Sequence, residues 1–259
     1  MFPILFTIGQ FQLHTTAVFS VIAFFMSGFV LWRKGREEHY SEAQLFDGFL
    51  LATAAAFVIG RLGYILLNWS QFGWQWWSWL DFVTVPGTQP LIGMLGGLGY
   101  FYRFAKAKKW DAFEAMDYYA TAAVFGLVWR YIGAFFEGSQ YGLPTTLPWG
   151  LIFPGVQEKV HPVQLYYAIF CLGWFWYLTK VEYQYRLFEW YRSGKKTAET
   201  GFLVATTLIS FGLFSLAMSW LQLPELVTQG WVIDRWIYLG LVLFGVSLLW
   251  SRSGRGNRT

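Results

Sequence analysis

Apolar residues fall in seven long blocks along the chain, near 15–32, 46–68, 88–105, 113–136, 162–180, 201–222 and 232–250. A helix that crosses the hydrocarbon core needs about 20 predominantly apolar residues. The pattern therefore predicts an all-α, polytopic membrane protein with seven transmembrane helices. It shows no internal repeat and no separate soluble stretch, so residues 1–259 are expected to form a single integral membrane domain. Residues 1–14, before the first block, carry no Lys or Arg, while Trp32-Arg33-Lys34 follows it. A secretory signal peptide has its positive charge ahead of the apolar run, so a retained helix is expected here.

The polar connections settle an orientation. Arg33, Lys34 and Arg36 follow the first block; Arg103, Lys106, Lys108 and Lys109 follow the third. Lys180, Arg186, Arg192, Lys195 and Lys196 follow the fifth, and Arg252, Arg255 and Arg258 follow the seventh. These fifteen of the 19 Lys and Arg lie on one side of a seven-span chain. The other side has only Lys159 and Arg235, and Arg61 and Arg130 lie within spans. Cytoplasmic loops carry the excess of Lys and Arg, so the N-terminus is expected outside and the C-terminus in the cytoplasm.

Composition agrees. Of 259 residues, 56% are hydrophobic and 13% charged, against roughly 25% charged in soluble domains. That leaves too few charges to solvate a globular surface. Sixteen Trp suit the membrane interface, where an apolar ring and a polar tip are both satisfied. The net charge of +4 sits on one side of the spans, which argues against a nucleic-acid partner. The single cysteine, Cys171, lies in an apolar run. It can form no intramolecular disulfide and is expected to behave as a small hydrophobe.

Three connections stand out. Residues 69–82 are too polar to span but densely aromatic, which fits either a segment lying on the outer membrane surface or an aromatic loop packed on helix ends. Residues 183–198 mix aromatics with cations on the inner side, where anionic head groups would attract them. Residues 137–161 are long and rich in Gly and Pro, as functional loops often are.

Ionisable groups inside spans are costly and tend to be functional or paired. Arg61 lies within the second block, Asp117 and Arg130 within the fourth, with Glu137 one to two turns further, and His161 opens the fifth. The derived orientation brings Arg61, Arg130, Glu137 and His161 to similar depth in the outer half of the bilayer. Two guanidiniums there suit a phosphate diester, which each can grip bidentately. The alternative is a structural network in which Glu137 or helix carbonyls neutralise the arginines. Gly93, Gly96, Gly97 and Gly99 either break the third helix or permit close helix packing.

Several segments resemble the prolipoprotein diacylglyceryl transferases. They are GRLGYILL from Gly60, MLGGLG from Met94 to Gly99, Arg130 to Pro154, HPVQLYYA from His161 to Ala168, IGQFQLHTTAVF from Ile8 to Phe19, and FGLF before LQLPE, from Phe211 to Glu225. The resemblance covers nearly the whole chain in order. It implies a multi-pass enzyme of the bacterial plasma (inner) membrane. Such an enzyme moves the diacylglyceryl group of phosphatidylglycerol, or another anionic phospholipid, to the lipobox cysteine thiol of a preprolipoprotein, a step of lipoprotein biogenesis. It needs no metal and no organic cofactor. Carried onto this sequence, it implies catalytic roles for Arg130, Glu137 and His161, and substrate contacts for Arg61, Tyr64, Gly97, Gln164 and Tyr166.

The chain departs from that family at several positions. Leu95 stands where the family has a histidine before GGL. Tyr131 stands at a family arginine, Ala134 and Glu137 at asparagines, Thr16 at a tyrosine, Tyr167 at a glutamate and Gln222 at a late arginine. The resemblance thus implies either a divergent transferase or a catalytically degenerate relative that serves as a lipid- or partner-binding membrane subunit.

Overall fold

A computed structural model describes residues 2–8, 11–81, 87–183, 199–222, 227–228 and 231–252. In chain order these form a hairpin of β1 (Ile4–Ile8) and β2 (Phe11–His14), then α1 (Thr15–Glu37), α2 (Glu42–Leu67), α3 (Trp69–Phe72), α4 (Trp76–Leu80), α5 (Pro90–Ala107) and α6 (Ala112–Glu137). There follow α7 (Val163–Val181), α8 (Phe202–Met218), a two-residue hairpin of β3 (Val227–Thr228) and β4 (Trp231–Val232), and α9 (Ile233–Arg252). The structure is all-helical apart from these two small hairpins. Each of the seven expected blocks coincides with a helix. Among the described residues, α1, α2, α6 and α9 are long and apolar enough to cross a membrane by length and composition, and α8 is a shorter apolar helix.

Local signals set the ends. Asp111 caps α6, accepting from the backbone N–H of Phe113 at 3.0 Å and of Glu114 at 3.2 Å, as N-cap carboxylates do. Pro90 opens α5 at the first turn, where its missing N–H costs nothing. Gly138, with φ +83°, stops α6, its N–H returning to Ala134 O at 3.0 Å.

The chain divides into two compact units, Met1–Val30 with Ala120–Thr259, and Leu31–Tyr119. In the second unit, α2 and α5 cross at close range through small residues. A Cβ on Gly97 would lie 3.0 Å from Ala52 O and 3.0 Å from the Ala56 Cβ, and one on Gly93 would lie 2.6 Å from Ala56 O. The glycines of α5 therefore let two backbones approach, and the helix runs through them unbroken. Beneath the crossing, Phe101 stacks on Tyr119 at 4.7 Å.

In the first unit, α1 and α6 run antiparallel and also meet at glycines. Gly133 faces Phe19, and Gly126 faces Ala23 and Ser27. Val124, Val128, Cys171, Leu178, Val181 and Leu203 form a buried cluster between α6, α7 and α8. Cys171 is thus core. Helices α8 and α9 pack through Gly212 and Gly245, whose added Cβ atoms would meet Tyr238 O at 3.0 Å and Ala205 O at 2.9 Å.

The connection after α6 is folded rather than loose. Isolated bridges pair Gly142 with Gln222, and Val160 with both Pro144 and Leu151. Phe153 is buried beneath them, stacked on Tyr141 at 5.5 Å. Of the aromatic and basic connection expected at 183–198, only Tyr183 is described, and it is exposed; residues 184–198 lie outside the described residues.

Candidate functional site

Helical spacing places Gly126, Arg130, Gly133 and Glu137 on one stripe of α6, since positions three, four and seven apart share a face. Gly126 and Gly133 put that stripe against α1. Arg130 is half-buried there. Its guanidinium carbon lies 5.4 Å from the Tyr131 ring. Among the described residues it has no hydrogen-bond or ion-pair partner. An unpaired cation in an apolar helix is expensive, so its five N–H donors are available to an anion.

Two turns on, Glu137 is the last residue of α6, where the helix dipole disfavours negative charge. Its surroundings offset this. Thr16, in the first turn of α1, donates its hydroxyl to Oε1 at 2.5 Å, and Ser139 donates to Oε2 at 2.7 Å. His14 Nδ1 approaches Oε1 to 3.6 Å. The β1–β2 hairpin carries His14 to this point. It is tied to the end of α6 by Phe2 N–H donating to Phe136 O at 2.8 Å, and to α1 by the Thr15 hydroxyl donating to Phe2 O.

Gln164 joins the same cluster from the first turn of α7. Its Nε2 donates to Ser139 O, which fixes the amide's orientation because only the NH₂ end can donate. The other end, Oε1, is buried and has no partner among the described residues. With the residue 1% exposed, that acceptor faces a cost of about 1–3 kcal/mol if it stays unpaired. His161 stands beside this group of side chains in sequence but makes a different set of contacts. Its Nδ1 lies 3.3 Å from the Tyr166 hydroxyl, which accepts from Trp149 Nε1 at 2.9 Å.

Two positions of departure touch each other. Tyr131 stacks on Tyr167 at 4.6 Å, and Phe214 meets Tyr167 edge-on at 5.1 Å. Where the resemblance sets an arginine and a glutamate, this chain holds an aromatic stack. Ala134 is buried on α6, and Gln222 bridges Gly142.

Arg61, Tyr64 and Gly97 belong to the other unit. Arg61 is 4% exposed, and its guanidinium is taken up by backbone carbonyls. Nε donates to Trp79 O at 3.0 Å, Nη1 to Gly87 O at 2.9 Å, and Nη2 to Ser78 O at 3.1 Å and Asp81 O at 3.0 Å. The Phe72 ring lies 5.1 Å and the Tyr64 ring 5.9 Å from its guanidinium carbon. Carbonyls do neutralise this arginine, as the structural alternative expects: Ser78 O and Trp79 O belong to the short helix α4, and Asp81 O and Gly87 O lie beyond its end. The arginine pins that aromatic connection, leaving Trp74 83% and Trp77 70% exposed while Phe72 is buried. One face of the segment packs and the other presents tryptophans.

Sequence reasoning missed His14, Thr16 and Ser139 as partners of Glu137. A carboxylate flanked by a serine two residues on was the local signal. The other two lie more than a hundred residues away.

Comparison with known proteins places the chain in a family. The profile described as prolipoprotein diacylglyceryl transferase matches residues 3–251. A phosphatidylglycerol–prolipoprotein diacylglyceryl transferase of Methylococcus capsulatus is 27% identical over 264 residues, spanning 95% of this chain and 94% of the relative. One from Methylobacillus flagellatus is 26% identical, spanning 95% of each. One from Cupriavidus metallidurans is 29% identical over 213 residues, spanning 76% of this chain and 72% of the relative. The chain belongs to the prolipoprotein diacylglyceryl transferase family.

Proposed function

We propose that the chain transfers the diacylglyceryl group of phosphatidylglycerol to the lipobox cysteine thiol of a preprolipoprotein, as one multi-pass domain of a bacterial inner membrane. In this reading α1, α2 and α5 to α9 cross the bilayer, with the N-terminus outside and the C-terminus cytoplasmic. The one-sided distribution of Lys and Arg supports that orientation. Family membership and the activity for which the relatives are named support the reaction.

The observation that carries the reading is Arg130. A guanidinium with no described partner, on an apolar helix, is matched by a phosphate, which accepts two parallel N–H bonds. Held there, the phosphate is a better leaving group, because its developing charge meets a fixed cation. Gln164 Oε1, buried and without a donor, would accept a hydroxyl of the glycerol head group. Glu137, already polarised by two hydroxyl donors, belongs to the proton-accepting side of the reaction, since the thiolate is the nucleophile. The His161–Tyr166–Trp149 set lines the approach. Tyr64 and Gly97 contribute through structure, as a rim for the Arg61 lock and as the α2–α5 crossing.

The test is transfer in a defined system. The purified chain is reconstituted with phosphatidylglycerol and a lipobox peptide, and the peptide is followed by mass spectrometry. A thioether-linked diacylglyceryl adduct, lost with Arg130→Gln, is expected. A folded chain that binds the lipid yet makes no adduct would show a lipid-binding subunit instead.

A further inference from the structure

We infer that His14 is the base that takes the acceptor thiol's proton, with Glu137 as its positioning partner; this rests on the transfer reading above.

Glu137 Oε2 is occupied by Ser139, and Oε1 by Thr16, with His14 Nδ1 on the same oxygen at 3.6 Å. A ring nitrogen that faces a carboxylate oxygen carries hydrogen, so in the neutral ring the lone pair lies on Nε2. Its backbone pairs with Ile4 in the hairpin, but the His14 side chain has no other hydrogen bond or ion pair among the described residues and is 55% exposed. Nε2 is therefore open to a substrate. A base whose second nitrogen is oriented by a carboxylate, itself held by further hydrogen bonds, is the arrangement that activates a nucleophile.

Its placement is built rather than accidental. His14 ends β2 and adjoins Thr15, the first residue of α1. Thr15 is buried and holds Phe2 O, and Phe2 N–H holds Phe136 O next to Glu137. Both ends of the hairpin are thus fastened around the carboxylate. Ser139, which donates to Glu137, is in turn held through its carbonyl by Gln164. His161, the other imidazole near the cluster, spends Nδ1 on the Tyr166 hydroxyl and has no carboxylate beside it among the described contacts.

The step balances. The S–H proton passes to His14 Nε2, giving an imidazolium beside the Glu137 carboxylate. The sulfur electron pair forms the C–S bond to the glyceryl carbon. The C–O bond to the phosphate breaks, and its electron pair leaves on the phosphate oxygen as a phosphate monoester anion. The imidazolium then returns its proton to water or to that anion.

The experiment uses the full chain in phosphatidylglycerol nanodiscs with paired acceptors: one lipobox peptide with cysteine, and the same peptide with selenocysteine kept reduced. A selenol is ionised at neutral pH and needs no base. With the thiol peptide, His14→Gln is expected to lower turnover by about 10²–10³-fold, with the KM for lipid unchanged. With the selenol peptide the loss should shrink toward none. Glu137→Gln should show the same split in weaker form. Equal losses with both peptides would mean a structural role and overturn the assignment. So would full activity of His14→Gln beside an active native chain. A native chain inactive with both peptides would overturn the transfer reading itself, and the base assignment with it.

Discussion

Arg61→Lys separates a structural arginine from a lipid-holding one. Among the described residues the native guanidinium donates to the carbonyls of Ser78, Trp79, Asp81 and Gly87. A hydrogen bond to a charged group is worth about 1.5–3 kcal/mol. Lysine keeps the charge but presents a single ammonium without the planar fork, so it cannot span acceptors set along both edges of the native group. Losing two of these bonds would cost about 3–6 kcal/mol. A freed carbonyl that is rehydrated recovers part of that cost. The net local cost is then about 2–4 kcal/mol. At about 1.4 kcal/mol per tenfold, amide-exchange protection over 69–81 should fall by roughly 30- to 1,000-fold. Hydrogen exchange with mass spectrometry on the native chain and the variant reads this directly. Unchanged protection over 69–81, together with a raised KM for phosphatidylglycerol, would refute the reasoning and return Arg61 to the lipid.

Three further outcomes follow from single contacts. Arg130→Met should not lower the thermal midpoint, because Arg130 gives up no described hydrogen bond, while transfer should fall by about 10²–10³-fold; a large loss of stability would mean a partner in the fold. Gly97→Val should destabilise by about 1–3 kcal/mol, since even a Cβ would meet Ala52 O at 3.0 Å and the Tyr119 hydroxyl at 3.2 Å; a normal midpoint with lost activity would instead put Gly97 against substrate. Tyr40, in the α1–α2 connection, donates to Glu114 at 2.8 Å and stacks on Trp110 at 4.6 Å. Burial, and then the Glu114 hydrogen bond, push its phenol well above the ordinary value, near 10 when unfolded. Its stabilisation is therefore whole below about pH 10 and lost as pH climbs above that toward the folded value. Tyr40→Phe should cost about 0.5–1.5 kcal/mol at neutral pH and flatten the alkaline fall in thermal midpoint. An unchanged alkaline slope would contradict it.

The helices were legible because the apolar blocks are long and their ends carry local markers, such as Asp111, Pro90 and Gly138. The family was legible because HPVQLYYA and the glycine-rich segments keep their order. What each polar group touches was not. Arg61 reads as a buried cation in either account, and only the fold shows that its donors are spent on a connection 17 to 26 residues later. Glu137 meets Thr16 across 121 residues, a separation that no periodicity encodes. The paired replacement of Tyr131 and Tyr167 looked like two unrelated departures. The fold brings the two together as one aromatic stack. The four glycines of α5 were ambiguous between a break and a close approach, because both need a missing side chain. At Gly93 and Gly97 the neighbouring Ala52 and Ala56 backbone decides for approach, while Gly99 faces open space.

The most direct test of the central claim is made in cells. A bacterium is depleted of its own transferase, this chain is expressed in its place, and a reporter lipoprotein is analysed by mass spectrometry at its lipobox cysteine. A diacylglyceryl thioether is expected on that cysteine, and it should vanish with Arg130→Gln in a variant that inserts and folds as the native chain does. An unmodified cysteine with the native chain folded and inserted, or modification that persists without Arg130, would contradict it.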